Sequence, residues 1–232
     1  MLTVRVIRTP SSAIPEEFDA LAAEPDVELV FTDRPDELGA PDMVVLPGSE
    51  ATIPDTLFLR ASGMDAAIRR AAENGSLIFG ICGGFQMMGT ELSDPDGLES
   101  DTPRAEGLGI FEMATTFTRD RIDERVDASG PSGGAGGEGG FLPQDARVTG
   151  FELHGGRSVV RPTSEVVPLF DRATGGSPEC PLGIATRDYA AMGTYLHGVL
   201  ADPIFRKRIL EHLRARRAAR QAVPDAASSR LR

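Results

Sequence analysis

The segment SLIFGICGGFQMM, residues 76–88, constrains the fold of this chain more than any other. A short apolar run ends at Ile81, Cys82 follows directly, and a helical pattern resumes at Phe85. Short, nearly continuous apolar runs are typical of strands covered on both faces. The segment therefore predicts an α/β fold in which a cysteine lies at the tip of a sharp turn from strand to helix.

The glycines around Cys82 explain how such a turn is built. Gly80 and Gly84 have no Cβ, so strand and helix can approach closely, and Gly83 leaves its N–H exposed beyond the cysteine. The start of a helix also favours a thiolate, the reactive form. The pattern predicts a nucleophile; an inert cysteine in a glycine-rich turn is the alternative.

Other apolar runs predict further strands. They are LTVRVIRT at the start, VELVFT at 27–32, MVVL from 43, and later RVTGFEL, LGIATR and AMGTYL. A helix is predicted over 62–75, with Ser62 as N-cap and Gly75 as its stop. A last helix begins at Asp202–Pro203 and runs to about Arg217. We expect a mostly parallel sheet flanked by helices, of flavodoxin-like type.

The domain prediction is one domain over 1–218. It contains a flexible glycine-rich insertion at about 127–146, DASGPSGGAGGEGGFLPQDA, which lacks apolar content, and a disordered tail follows at 219–232. The arginine-rich stretch RKRILEHLRARRAAR is interpreted as the solvated face of the last helix, with a basic docking surface as the alternative.

The composition is acidic, with 35 Asp and Glu against 24 Lys and Arg. This argues against nucleic acid or an anionic membrane as a partner. Since Lys207 is the single lysine, either salt adaptation or a GC-rich genome explains the balance. The sequence shows no secretory segment and no apolar run of bilayer length, so we expect a cytoplasmic protein without a disulfide.

Histidines supply the candidate bases. His197, in GTYLHG, ends a predicted strand, where parallel sheets display catalytic groups, so it is the favoured base. His154 and Glu152 lie two positions apart on one face of a strand and are interpreted as supporting groups, or as ordinary structural residues. His212 is expected on the surface of the last helix. The Pro47-Gly48-Ser49 turn either supplies oxyanion N–H groups or simply ends its strand.

Four motifs in order resemble the class I glutamine amidotransferase domain of cobyric acid synthases. These are LPGSEATIPD at 46–55, GICGGFQ at 80–86, GFELHGGRS at 150–158 and GTYLHGVL at 193–200. The resemblance implies glutamine as substrate, Cys82 as nucleophile and His197 as base. It also implies that Gly48 and Gly83 belong to the segments that stabilise the oxyanion. Gln86 and Ser49 would belong to the segments that hold the bound glutamine.

The resemblance also implies a partner. Released ammonia would pass to an ATP- and magnesium-dependent amidoligase that amidates carboxylates of adenosylcobyrinic acid a,c-diamide, a corrinoid bound by that partner. No phosphate-binding GxxxxGK[ST] loop occurs in this chain, so we expect no cofactor or metal here. Typical members carry a glutamate two residues after the histidine, where this chain has Val199, and Glu152 is the suggested substitute.

Three alternatives remain open at this stage. The first is a glutaminase that serves another amidoligase, such as one acting on a cell-wall precursor. The second is a related cysteine hydrolase, and the third is a non-catalytic domain that binds a partner. The intact pattern around Cys82 and His197 argues against the last.

Overall fold

A computed structural model describes residues 1–12, 16–132, 140–163, 165–176 and 180–222, which form two β-sheets and six helices. The first sheet comprises β1 (Leu2–Ile7), β2 (Val27–Thr32), β3 (Met43–Leu46), β4 (Leu77–Ile81), β9 (Val166–Pro168), β11 (Gly183–Thr186) and β12 (Ala191–Thr194). The second comprises β5 (Glu91–Ser93), β6 (Arg104–Glu106), β7 (Met113–Ser129), β8 (Arg147–Val160), β10 (Asp171–Thr174) and β13 (Leu196–His197). The helices are α1 (Glu17–Ala22), α2 (Pro35–Leu38), α3 (Thr52–Ser62), α4 (Met64–Glu73), α5 (Gly83–Met87) and α6 (Pro203–Ala222).

The first sheet confirms the predicted α/β class. Its order is β2-β1-β3-β4-β12-β11-β9; the first five strands are parallel, and β11 pairs antiparallel with both β12 and β9. The five parallel strands have the flavodoxin-like arrangement, in which ligands bind beyond the carboxyl ends of the strands. Cys82 follows β4 at that edge of the sheet.

Alternate residues of each central strand enter different hydrophobic clusters. In β3, Met43 and Val45 pack in the cluster that contains Phe205 of α6, while Val44 and Leu46 pack in the cluster that contains α4 residues. Successive side chains of a strand point to opposite faces, so the sheet is covered on both sides. This explains why the strand sequence is uniformly apolar.

The second sheet was not predicted. Its centre is the antiparallel pair β7 and β8, which are 17 and 14 residues long and extend well past the predicted RVTGFEL segment. Along β7 the residues exposed on the outer face are mostly charged, and the ladder shifts register between Thr116 and Arg121. That shift interrupts the period-two pattern by which a long strand is recognised.

The glycine-rich segment differs from the prediction at both ends. Residues up to Ser129 belong to β7, and Phe141 and Leu142 are buried in the core. Phe141 packs against Phe205 at 5.4 Å between ring centroids, and its backbone N–H donates to the Tyr189 hydroxyl at 3.0 Å. The prediction missed these buried apolar residues because glycine dominates the local composition. Residues 133–139 of the predicted insertion lie outside the described residues.

Two helix boundaries also differ. The helix predicted over 62–75 is α4, which ends at Glu73 and is followed by Gly75 with φ 84°, but Ser62 is the last residue of α3 and not an N-cap. Gly63 lies between α3 and α4 in the left-handed conformation, with φ 78°. The chain therefore carries α3, a helix that the sequence analysis did not predict.

The last helix begins as predicted, with the Asp202 carboxylate accepting the N–H of Phe205 at 3.0 Å, but it continues to Ala222. Arg217 and Arg220 both bind the buried Asp42 carboxylate, which fixes the additional turns, so 219–222 are helical. Residues 223–232 of the predicted tail lie outside the described residues. None of the helices in the described part is long and apolar enough to cross a membrane.

His212 is half-buried, whereas the prediction placed it on the surface of the last helix. Its Nε2 lies 3.0 Å from the Tyr189 carbonyl oxygen, and its ring meets Phe141 edge-on with centroids 5.9 Å apart. Burial lowers the pKa of this imidazole, so it is a packed, neutral structural residue.

Candidate active site

Cys82 occupies a strained backbone position between β4 and α5. Its φ and ψ are 50° and −112°, outside the regions that non-glycine residues ordinarily adopt, and its N–H donates to the Thr194 carbonyl at 2.8 Å. Such strain costs on the order of 1–3 kcal/mol and persists only where the surrounding structure imposes it. The predicted sharp turn is therefore present, and the side chain is 8% exposed.

The flanking glycines permit close approach of the backbone. A Cβ on Gly84 would lie 2.0 Å from the Leu46 carbonyl oxygen, and one on Gly80 would lie 2.8 Å from the Phe85 backbone. A Cβ on Gly83 would lie 2.8 Å from the Ser49 nitrogen. Real side chains do not reach such distances, so the turn after β3 lies against the cysteine turn only because these positions are glycine.

The turn after β3 contributes Gly48, Ser49 and Glu50 to the same cavity as Cys82. The Ser49 hydroxyl donates to the buried Asp55 carboxylate at 2.6 Å, which also accepts the Thr9 hydroxyl at 2.6 Å. The Ser49 hydroxyl is thus bonded within the protein, and the substrate role of Ser49 stays a prediction.

His197 follows β12 through Tyr195 and lies in the short strand β13. Burial lowers the pKa of His197, the nearby His154 lowers it further, and the Leu153 carbonyl, as a hydrogen-bond acceptor, opposes the shift. Its Nε2 is buried and has no hydrogen-bond partner among the described residues. The neutral imidazole therefore presents an unoccupied ring nitrogen, as a general base requires.

Cys82 and His197 line one cavity of about 420 Å³ at the end of the first sheet. The Cys82 Sγ lies 3.2 Å from the carbonyl oxygen of Leu153 on β8, and Leu153 lines the cavity as well. The cavity thus brings together the predicted nucleophile and base between the two sheets.

Glu152 and His154 lie on one face of β8, as predicted, and both are buried. His154 Nε2 lies 3.1 Å from the Glu152 carboxylate, and the His154 ring stacks on Tyr195 with centroids 3.7 Å apart. Burial raises the pKa of Glu152, but hydrogen bonds with His154 and Arg172 outweigh it and lower the pKa overall. The carboxylate binds these two partners, and the suggestion that Glu152 orients His197 stays a prediction.

Gln86 lines the cavity from the first turns of α5, but its amide is held by the protein. Its Nε2 donates to the Gly155 carbonyl at 2.9 Å, and its Oε1 accepts from the Thr52 hydroxyl at 3.2 Å. Gln86 therefore links α5, α3 and β8 around the cavity, which shapes the place for a substrate.

The sequence analysis missed one part of the cavity wall, formed by Leu98, Glu99 and Arg121. Asp94 accepts hydrogen bonds from the backbone N–H groups of Leu98 and Glu99, each at 2.8 Å, and so shapes this loop. Glu99 accepts the Thr52 N–H at 2.9 Å, and burial raises its pKa. The spacing from Asp94 to Glu99, with Gly97 between, was the available signal for an ordered loop.

The cavity is therefore lined by carboxylate and guanidinium groups together with a cysteine and a neutral histidine. Such a site fits a small zwitterionic substrate that carries a carbonyl group for the thiol to attack.

Comparison with known proteins agrees with this chemistry. Residues 3–205 match the family described as the CobB/CobQ-like glutamine amidotransferase domain. The cobyric acid synthase of Gloeobacter violaceus is 40% identical over 95% of this chain, and that of Syntrophobacter fumaroxidans is 37% identical over 93%. The chain spans 40% and 41% of the lengths of these two relatives.

Solved structures show the same fold. PurLQS from Thermotoga maritima superposes with a TM-score of 0.67 at 19% identity, over 92% of this chain and 98% of that chain. The glutamine amidotransferase of Methylobacillus flagellatus gives 0.54 at 16% identity, over 95% of this chain and 92% of that one. Taken with the family match, they lead to one conclusion: this chain belongs to the CobB/CobQ-like glutamine amidotransferases and is a class I glutamine amidotransferase domain.

Proposed function

We propose that this chain is the glutaminase part of a cobyric acid synthase. It hydrolyses glutamine at Cys82 and supplies ammonia for the ATP-dependent amidation of carboxylates on adenosylcobyrinic acid a,c-diamide. The observation that carries the proposal is the cavity that Cys82 and His197 line together with Glu99 and Arg121. The similarity to cobyric acid synthases supports the choice of pathway.

The substrate is glutamine, held as a zwitterion. Arg121 pairs with the α-carboxylate and Glu99 with the α-ammonium group, since both side chains line the cavity and carry the complementary charges. Both groups are needed to distinguish an amino acid from a simple amide. The side-chain carboxamide then extends toward Cys82.

The reaction begins when His197 accepts the thiol proton and the Cys82 thiolate attacks the carboxamide carbon. Backbone N–H groups at Gly83 and in the Gly48–Ser49 turn stabilise the negative oxygen of the tetrahedral intermediate. The C–N bond then breaks, and the proton held by His197 passes to the leaving nitrogen, which departs as ammonia. A glutamyl thioester remains on Cys82.

Water completes the cycle. His197 removes a proton from a water molecule, which attacks the thioester carbon; the C–S bond breaks, glutamate leaves and the thiol is restored. Ammonia has to remain unprotonated to act as a nucleophile. An amidoligase domain or subunit with ATP and magnesium, and with the corrinoid acceptor, is therefore the proposed partner, and the cytoplasm is the proposed compartment.

The test measures glutamate formed from glutamine by the full chain, with Cys82→Ala beside it. Each is assayed alone and with a cobyric acid synthase amidoligase, ATP, magnesium and the corrinoid diamide. Activity that depends on Cys82 and rises with this partner supports the proposal. Stimulation by a cell-wall amidoligase instead favours the alternative pathway, and a folded chain that never releases glutamate refutes the glutaminase.

A further inference from the structure

The position where typical class I amidotransferases carry an orienting glutamate is occupied by Val199. This side chain is fully buried in the core cluster that also contains Leu200 and Phe205. An apolar side chain in this position cannot accept a hydrogen bond from His197. If the chain is a glutaminase, as proposed above, the group that orients the nucleophile and the base has to come from elsewhere.

A backbone carbonyl occupies the required place. The Leu153 carbonyl oxygen lies 3.2 Å from Cys82 Sγ and also faces His197 as an acceptor. It is available because β13 pairs with β8 only through Leu196 opposite Glu152 and His197 opposite Phe151. The edge of β8 beyond Glu152 therefore faces the cavity and is not used for strand pairing.

A backbone carbonyl is a reliable orienting group only if its strand is fixed. The residues on either side of Leu153 fix it, since Glu152 and His154 both point into the interior, 0% and 3% exposed. Arg172 on β10 binds the Glu152 carboxylate with both terminal nitrogens, at 2.5 and 3.2 Å. A bidentate pair of this kind defines the orientation of the carboxylate as well as its position.

The turn after β10 is shaped around this ion pair. A Cβ on Gly176 would lie 1.9 Å from Arg172 Nη1 and 1.9 Å from Glu152 Oε2, and a Cβ on Gly175 would lie 2.3 Å from the Arg125 carbonyl oxygen. Both glycines also have positive φ, at 66° and 74°. No other residue type fits against the pair at Gly176 without moving it, which indicates that the turn and the ion pair form one unit.

We infer that the Arg172–Glu152 ion pair positions the catalytic groups for the reaction. It fixes β8, so that the Leu153 carbonyl holds the side chains of Cys82 and His197 in their reactive positions. The carbonyl takes the role that a glutamate side chain has in the typical triad. Neither Arg172 nor Glu152 is among the residues that line the cavity, so they act through Leu153. The inference rests on the proposed glutaminase function.

The experiment compares Arg172→Gln and Arg172→Lys with wild type and with Arg5→Gln, all in the full chain. Arg5 is a matched control, because its side chain pairs with Glu28 and is 20% exposed, against 15% for Arg172, but lies on β1. The measurements are kcat and KM for glutamine, the rate of Cys82 alkylation by iodoacetamide, and the unfolding temperature. Should Arg172→Gln fail to fold, Glu152→Gln takes its place under the same criteria.

We expect Arg172→Gln to lower kcat at least tenfold with KM changed less than twofold. Alkylation of Cys82 should become at least threefold faster, because the thiol is released from Leu153. Arg172→Lys, which keeps the charge but cannot form the bidentate pair, should recover only part of the lost kcat, and Arg5→Gln should keep the wild-type values. Wild-type kcat and alkylation in a folded Arg172→Gln variant would overturn the inference, as would equal losses in Arg5→Gln.

The two proposals fail in different ways. A wild-type chain without Cys82-dependent glutamate release refutes the glutaminase, whereas an active wild type with an unaffected Arg172→Gln refutes only the positioning role. The alkylation rate does not require turnover, so it decides the positioning role in either case.

Discussion

The Cys82 thiol lies 3.2 Å from the carbonyl oxygen of Leu153, so the end of the first sheet is joined to β8 of the second sheet at the reactive atom. The parallel sheet supplies the strained turn that presents the cysteine, and the antiparallel sheet supplies the surface against which the thiol is held. The chemistry of the site therefore depends on how the two sheets pack against each other.

The first prediction concerns the identity of the nucleophile. Cys82→Ala should lower glutaminase kcat by a factor on the order of 10³ or more, since no thioester can form. A diazoketone analogue of glutamine should add to the peptide that contains Cys82, as measured by mass spectrometry.

Cys180 provides the control for this labelling. It is 5% exposed and burial raises the pKa of its thiol, so it should stay unlabelled, and Cys180→Ala should retain glutaminase activity. Labelling at Cys180 with Cys82 unmodified would contradict the assignment.

The second prediction concerns pH. Burial lowers the pKa of His197 below its ordinary value of 6.5, so the neutral form needed to accept the thiol proton persists as the pH falls through 6.5. The acid limb of kcat/KM should therefore lie below pH 6.5. A pH profile of glutamate release measures it, and an acid limb above pH 7 would show that His197 is not the base in this environment.

The third prediction concerns the close approach at the cysteine turn. The added Cβ of Gly84→Ala would lie 2.0 Å from the Leu46 carbonyl oxygen, so β3 or α5 has to move. We expect the free energy of unfolding to fall by about 3 kcal/mol, the upper end for overpacking, with loss of activity. Denaturant unfolding measures the change.

Gly63→Ala is the matched control for this substitution. Gly63 lies in the left-handed conformation, with φ 78°, but has no atom within 4 Å of an added Cβ, so only the cost of the left-handed backbone, about 1 kcal/mol, is expected. An equal loss in the two variants would mean that contact with Leu46 contributes nothing.

The parts of the fold that were predicted correctly depend on local pattern. The apolar run before Cys82 and the glycines around it indicate strand, turn and helix through short-range sterics, and the structure has all three. The charged outer face of β7 and the register shift before Arg121 hide the second sheet, because pairing between distant strands leaves only a weak local signal. The sequence showed that Glu152 lies near His154, but it could not show that its carboxylate faces Arg172.

The last prediction concerns the cavity wall that the sequence analysis missed. Asp94 is 1% exposed and accepts the N–H groups of Leu98, Glu99 and Ser100 at 2.8, 2.8 and 3.0 Å. Burial opposes ionisation, yet these hydrogen bonds lower the pKa of Asp94 overall. Its stabilising effect is therefore present above the ordinary value of 3.8 and is lost as the pH falls through the lowered pKa.

Asp94→Ala leaves three backbone donors without their acceptor, so Leu98 and Glu99 should lose their fixed positions in the cavity. We expect KM for glutamine to rise at least fivefold, with a smaller change in kcat, and the free energy of unfolding to fall by about 1–3 kcal/mol. Asp188→Ala removes a comparable turn acceptor, bonded to the Ala190 N–H at 3.1 Å, outside the cavity lining. The Asp188→Ala control should lose stability but keep the wild-type KM. A similar rise in KM for both variants would mean that the fold is loosened in general and that Asp94 has no specific effect on the cavity.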